Sequence, residues 1–373
     1  MKQVLLLILC LLIFISCATD SYRTENQHSV INYEYIEPDT GPYVKNIILL
    51  IGDGMGIPHI YAGMTANRGE LFLNSCKNIG LIQTFPANDF VPDSGAAGTS
   101  ISTGEKTNNG SIAVDTEGNH IKTILELAEE NGLSTGLIST KSITDATTAC
   151  FIAHIHDRDE HEQIAEFFLQ TPVDVFIGGG YRYFSDRSDE RDLIYELIQA
   201  GYALAYTMDE VINHETGKLA AFLAEKNLES YISGRGDMLV NSLLTGLKVL
   251  NENEKGFFLI LESAKIDSGG HKRDIDYVVE EMLDFDRVIG KALEFAVQDK
   301  NTLVIITSDH ETGGMIIIDG NIEEGIVEAE FITKNHSGNL VPVFAFGPKA
   351  ETFTGIYDNT ELFLKMLEAY DSF

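Results

Sequence analysis

The sequence predicts an α/β fold, a three-layer sandwich in which helices flank a large, mostly parallel central sheet. Three observations predict it. Short apolar runs at 47–52, 257–261 and 303–308 are rich in Ile, Val, Leu and Phe and lack two-residue alternation, as strands buried on both faces do. Each run finishes on a carboxylate: Asp53, Glu262 and Asp309, the last followed by His310. Strand-like and helix-like patterns alternate along the 373 residues without a Pro/Ser-rich linker, which fits one large domain. Ligands of open α/β sheets gather at the carboxyl ends of the strands. Acids converging there would repel one another and lose solvation unless cations held them. A site with several metal ions is therefore expected.

The elements follow in order. A strand at about 45–51 leads through a Gly-rich turn to a helix near 57–66. An apolar segment at 79–84 precedes Pro92-Asp93-Ser94, and the small residues Gly95-Ala96-Ala97-Gly98-Thr99 open a helix. A helix at 120–131, a strand at 134–139 and a helix from about 159 lead to a strand at 173–177, closed by three glycines. Helices are predicted to dominate 189–251, before the strand that reaches Glu262. A long helix at 273–298 precedes the strand to Asp309. Short strands near 315–318, 328–332 and 340–346 and a helix at 358–370 complete the chain.

The formal charge is −31, from 57 acids against 26 bases. Nucleic acid is not an expected partner, because phosphate backbones need a basic surface. An anionic substrate would have to be attracted locally, against the global field. Lys2 precedes an apolar stretch over 4–15, too short to span a bilayer as a mature helix. It ends in Phe14-Ile15-Ser16-Cys17, which is similar to a bacterial lipoprotein cleavage site with Cys17 lipidated; an ordinary secretory signal is the alternative. Either reading exports the chain to the periplasm or cell envelope. Residues 1–17 are thus read as a signal peptide, 18–43 as a polar tether or arm, and 44–373 as the catalytic domain. Cys76 and Cys150 remain, and an oxidising compartment permits a bridge whose distance sequence does not supply.

Gly52-Asp53-Gly54-Met55-Gly56 follows a strand, but its spacing is not that of a dinucleotide loop, and metal binding by Asp53 fits better. Asp267 and His271 are four apart, so one turn puts both on one side, as in many Zn²⁺ half-sites. Alone, such a pair also occurs on exposed helices, and His310 or His336 alone would read as a surface or core histidine. Ser94 at a helix start is in isolation an N-cap. The same position favours an anion, and neighbouring Zn²⁺ would make its hydroxyl nucleophilic.

Together these stretches resemble the alkaline phosphatase family, in family order across nearly the whole mature chain. They are Ile51-Gly52-Asp53-Gly54-Met55-Gly56, Pro92-Asp93-Ser94-Gly95-Ala96-Ala97, Asp145-Ala146-Thr147 through His154 to Arg158, Glu262-Ser263-Ala264-Lys265-Ile266-Asp267 with His271, Ser308-Asp309-His310-Glu311-Thr312-Gly313-Gly314, and His336-Ser337-Gly338. The resemblance implies a phosphate-monoester hydrolase, active at alkaline pH through a phosphorylated Ser94, with two Zn²⁺ and one Mg²⁺. One zinc would take Asp267, His271 and His336, and the other Asp53, Asp309 and His310. The magnesium would take Asp53, Thr147 and Glu262, with Asp145 in its water shell. Arg158 would fork onto two phosphate oxygens, and His154 would be structural. Three dications and Arg158 would outweigh the carboxylates of Asp53, Glu262, Asp267 and Asp309, giving a positive pocket inside an acidic protein.

Two departures matter. Ser268 follows Asp267 where some bacterial members carry Lys, which puts a water-mediated phosphate contact in doubt. The chain between His310 and His336 is too short for the large crown insertion of vertebrate members, so a homodimer is an expectation without their contacts. A phosphodiesterase of the same superfamily and a non-catalytic metal- or phosphate-binding lipoprotein are the alternatives. Ser94-Gly95-Ala96-Ala97 offers no sulfatase motif, and Glu70 near the Gly-rich loop is joined by no hydride-transfer constellation.

Overall fold

The computed structural model describes residues 20–25, 27–38 and 41–370. The predicted signal segment and Cys17 lie outside the described residues. Among those described, the strands are β1 (Asp20–Arg23), β2 (Asn46–Gly52), β3 (Asn78–Gln83), β4 (Ser134–Ser142), β5 (Val175–Gly179), β6 (Ala203–Ala205), β7 (Leu219–Phe222) and β8 (Phe257–Ser263). They continue with β9 (Thr302–Thr307), β10 (Glu311–Thr312), β11 (Met315–Asn321), β12 (Ile326–Phe331), β13 (His336–Ser337), β14 (Val341–Phe346) and β15 (Gly355–Asp358).

The three apolar runs sit side by side at the centre. A ten-stranded sheet has the order β15-β3-β14-β9-β2-β8-β4-β5-β7-β6, and β14 alone in it runs against the others. Ile47, Leu49, Ile51, Phe258, Ile260, Leu303 and Ile305 pack into one core. The alternate residues Ile48, Leu50, Phe257, Leu259, Leu261, Val304 and Ile306 pack into a second. Both faces need apolar side chains, which is why two-residue alternation is missing from these strands.

Several elements differ from the sequence expectation. The stretch 189–251 holds β6 and β7 as well as helices, because strands of three and four residues built from Ala, Leu and Phe leave no readable period. The helix expected from 120 begins at Ile124, since Thr123 and Glu126 form a reciprocal capping box there. The long helix expected from 273 is preceded by a separate Lys265–Lys272 helix. Arg273 breaks the path with φ +57, and Asp274 caps the Ile275–Asp299 helix by accepting from Tyr277 N at 3.0 Å. Cys76 and Cys150 are free and buried, so they form no bridge.

Over its described residues, the 18–43 segment lies against the body. β1 pairs antiparallel with β12, His28 Nε2 meets Asp286 Oδ2 at 3.0 Å, and Tyr33 N donates to Ser75 Oγ at 2.9 Å. Among the described residues no helix is long and apolar enough to cross a membrane.

Candidate metal centre and active site

Parallel pairing puts the carboxyl ends of β4, β8, β2 and β9 in one row, and the acids follow. Asp53 comes directly after β2, Asp309 and His310 lie just beyond β9, and Glu262 is inside β8 opposite Ile51. Two bonds lock the β2 and β9 loops together: Gly54 N donates to Asp309 Oδ1 at 3.1 Å, and Met55 N to Ser308 Oγ at 2.9 Å. Gly54 is required here: its φ is +76, and a Cβ would stand 2.7 Å from the Asp267 Cα. Ligand atoms of Asp53, Asp309 and His310 fall within 4.8 Å of one another, all three residues being buried.

A second group forms beside it. Asp267 and His271 share one face of the Lys265–Lys272 helix, with Asp267 Oδ1 and His271 Nε2 3.1 Å apart. β13 pairs with β10 in a two-stranded ribbon that sets His336 opposite Thr312. His336 Nε2 thereby comes to 3.5 Å from Asp267 Oδ1 and 3.2 Å from His271 Nε2. His271 Nδ1 contacts the Lys334 carbonyl and His336 Nδ1 the Pro92 carbonyl, the latter at 2.8 Å. A carbonyl only accepts, so each Nδ1 carries the hydrogen, and in the neutral rings Nε2 is free to ligate. His310 also lies within 4.8 Å of the ligand atoms of Asp267 and His336. It therefore stands between the groups, whereas the sequence reading placed it with Asp53 and Asp309 alone.

Of the third expected set, Asp53 directly follows β2 and Glu262 lies in the neighbouring β8. Ser139 Oγ donates to Glu262 Oε2 at 2.6 Å, and Asp145 caps the short Ala146–Ala149 helix that carries Thr147. Ser94 opens the Ser94–Thr103 helix, its Oγ 3.3 Å from His310 Nε2. Asp93 caps that helix through Ala96 N and receives Arg158 Nη1 at 2.9 Å, while Arg158 Nη2 lies 3.5 Å from Asp145 Oδ1. The guanidinium is thus braced beside Ser94. His154 bonds the Ala113 carbonyl at 2.8 Å and Glu126 at 3.0 Å, away from this set.

Comparison with known proteins gives the family. The family model described as alkaline phosphatase matches residues 44–329. The chain belongs to the alkaline phosphatase family. It is 32% identical to alkaline phosphatase 3 of Bacillus subtilis, over 87% of this chain and 89% of that one. It is 30% identical to the Escherichia coli alkaline phosphatase, over 87% and 86%. The structure of the alkaline phosphatase from the Antarctic bacterium TAB5 superposes with a TM-score of 0.84 at 37% identity, covering 88% of this chain and 98% of that one. The protein is a phosphomonoesterase. The family is metal-dependent, and a TAB5 variant carries Mg in its M3 site.

The donor set fits such ions. Asp53 Oδ1, Asp309 Oδ2, Glu262 Oε1 and Thr147 Oγ1 are buried oxygens without a hydrogen-bond partner, which is costly unless something else binds them. Carboxylates and imidazoles mixed in each group suit Zn²⁺, whereas the all-oxygen set of Glu262, Thr147 and Asp53 suits a harder cation. The electrostatics show the same shortage of positive charge. Burial and the carboxylates of Asp267 and Asp309 push the Asp53 carboxyl up, and burial lifts Glu262 to about 7. Burial and the neighbouring His336 hold His310 well below the ordinary histidine value. Burial opposes ionisation of Asp267, but Lys141, His271 and His336 outweigh it and hold its carboxyl low.

Lys141 was missed by sequence reasoning. Its Nζ lies 3.0 Å from Asp53 Oδ2. The available signal was a lysine near the carboxyl end of a strand whose other residues are apolar, small or hydroxylated. Asp93, which ties the nucleophile's helix to Arg158, and Thr312, which donates to Asp267 Oδ1 at 2.7 Å, were likewise given no role.

Proposed function

We propose that the protein hydrolyses phosphate monoesters in two in-line displacements through a phosphorylated Ser94. The observation that carries this is Ser94 Oγ lying 3.3 Å from His310 Nε2, at the edge of two ligand groups with unpartnered buried oxygens and beside a braced Arg158. One Zn²⁺ at Asp267, His271 and His336, a second at Asp53, Asp309 and His310, and one Mg²⁺ at Asp53, Thr147 and Glu262 with Asp145 nearby would ionise the serine hydroxyl and the attacking water and neutralise the leaving oxygen. Arg158 receives two phosphate oxygens on its fork, with Asp93 and Asp145 keeping it oriented. Ser94 Oγ forms a bond to phosphorus as the ester C–O–P linkage breaks at phosphorus, releasing the alcohol. Water then bonds to phosphorus as the Ser94 Oγ–P bond breaks, releasing inorganic phosphate. The N-terminus of the Ser94–Thr103 helix favours the anion formed at its first residue.

Acid quenching during turnover of a phosphate-labelled monoester should leave label on the peptide containing Ser94. Full turnover at alkaline pH with no trapped phosphoserine would sink the covalent route. Chelation should abolish hydrolysis of p-nitrophenyl phosphate, and Zn²⁺ with Mg²⁺ should restore it. Export to the periplasm or cell envelope, with a lipid on Cys17, is supported by the apolar 4–15 stretch ending in Phe14-Ile15-Ser16-Cys17. Mass spectrometry of the mature N-terminus tests it. A homodimer remains part of the proposal, and sedimentation tests it.

A further inference from the structure

Lys141 stands one residue from the end of β4 and turns its ammonium into the acid cluster. Nζ lies 3.0 Å from Asp53 Oδ2 and 3.5 Å from Asp267 Oδ2, so one cation bridges a ligand of each group. Its side chain is 14% exposed, and the carboxylates of Asp145 and Glu262 add to the field around it. A lysine this deep is stable only against acids it can pair with. The two oxygens of Asp53 are divided. Oδ1 has no hydrogen-bond partner and lies 3.6 Å from His310 Nε2, whereas Oδ2 holds Lys141. Asp53 is also the one carboxylate common to the Asp53, Asp309, His310 set and the Glu262, Thr147 set. A cation joining Glu262 and Thr147 to Asp53 would need Oδ2, because Oδ1 faces His310. An ammonium and a dication on that one oxygen would repel strongly in a buried site.

We propose that Lys141 is a resident competitor for the third cation: its ammonium and Mg²⁺ exchange on Asp53 Oδ2, so the third ion is held weakly while the other two are held firmly. This rests on the metal assignment proposed above. With Mg²⁺ absent, Lys141 neutralises Asp53 and Asp267 and keeps both aimed at their groups. When Mg²⁺ binds, the ammonium withdraws towards Asp267 and Asp145. Lys141 is thus a positioning residue that sets how many divalent ions the centre retains.

The test is Mg²⁺ binding to the zinc-loaded full chain, read as bound metal after equilibrium dialysis. Lys141→Met removes the charge and keeps most of the length, and Lys141→Arg keeps the charge. Lys141→Met should bind Mg²⁺ about tenfold or more tightly than wild type. Lys141→Arg should stay within about threefold of wild type, Mg²⁺ uptake being compared at matched zinc loading in all three. Loss of a purely structural lysine would not strengthen Mg²⁺ binding. Equal or weaker Mg²⁺ binding by Lys141→Met overturns the competition alone. Absence of bound Mg²⁺ from wild type and Lys141→Met alike overturns it together with the third-ion assignment. Should Lys141→Met not fold, Lys141→Gln serves the same comparison, with circular dichroism confirming the fold of each variant.

Discussion

Glu281 and Asp284, on the Ile275–Asp299 helix, are as deeply buried as Asp53 and Asp309 at the strand ends. Every carboxylate oxygen of the helical pair has a donor. Tyr231 N and Arg235 serve Glu281, and Arg235 and Arg287 serve Asp284, at 2.6 to 3.2 Å. At the strand ends, Asp53 Oδ1, Asp309 Oδ2 and Glu262 Oε1 have none. Residue type and burial are the same in both places, and the supply of counter-charge differs. Where arginines from the chain complete the pairing, buried acids become a strut. Where the chain leaves the pairing incomplete, charge must come from solution, and the same acids become a site.

The largest expected effect tests whether the incomplete cluster serves chemistry. Ser94→Ala should lower kcat by on the order of 10³-fold or more while zinc content is unchanged; wild-type kcat in that variant would separate the acids from the proposed nucleophile. Next comes the strut. Glu281→Ala should destabilise by about 3–5 kcal/mol in urea unfolding, because Arg235 is left buried and short of a partner, with kcat per folded molecule unchanged. A loss of activity larger than the loss of folded protein would erase the contrast between the regions. Arg158→Ala should cost about 2–3 kcal/mol in kcat/KM for monoesters, seen as a roughly hundredfold fall at constant zinc content.

The smallest effect concerns pH in the metal-free protein. Burial raises Glu262 from 4.5 to about 7, so the fold favours its neutral form. Its contribution is fully present below pH 4.5 and is lost as pH rises towards 7, with a slope of up to about 1.4 kcal/mol per pH unit. Glu262→Gln should flatten that part of the stability profile. An unaltered profile would mean that Glu262 already has its counter-charge without added ions.

The strands carrying Asp53, Glu262 and Asp309 were legible because a strand buried on both faces must be apolar throughout, and a carboxylate at its end then stands out. Asp267 and His271 were legible from local spacing, since one helical turn relates them. β6 and β7 were not, being too short to show a period. The β10–β13 ribbon that brings His336 to His271 joins residues far apart in sequence, and two-residue strands leave no pattern.

The sequence by itself determined that acids would collect at one edge of a buried parallel sheet, because side-chain period and strand polarity are local properties of the chain. Tertiary structure decided that His310 stands between two ligand groups, that Arg158 is braced by Asp93 and Asp145, and that Lys141 lies between Asp53 and Asp267. Those contacts depend on strand order and loop closure, which bring together charges that no sequence interval relates. Coulomb energy depends on distance in space.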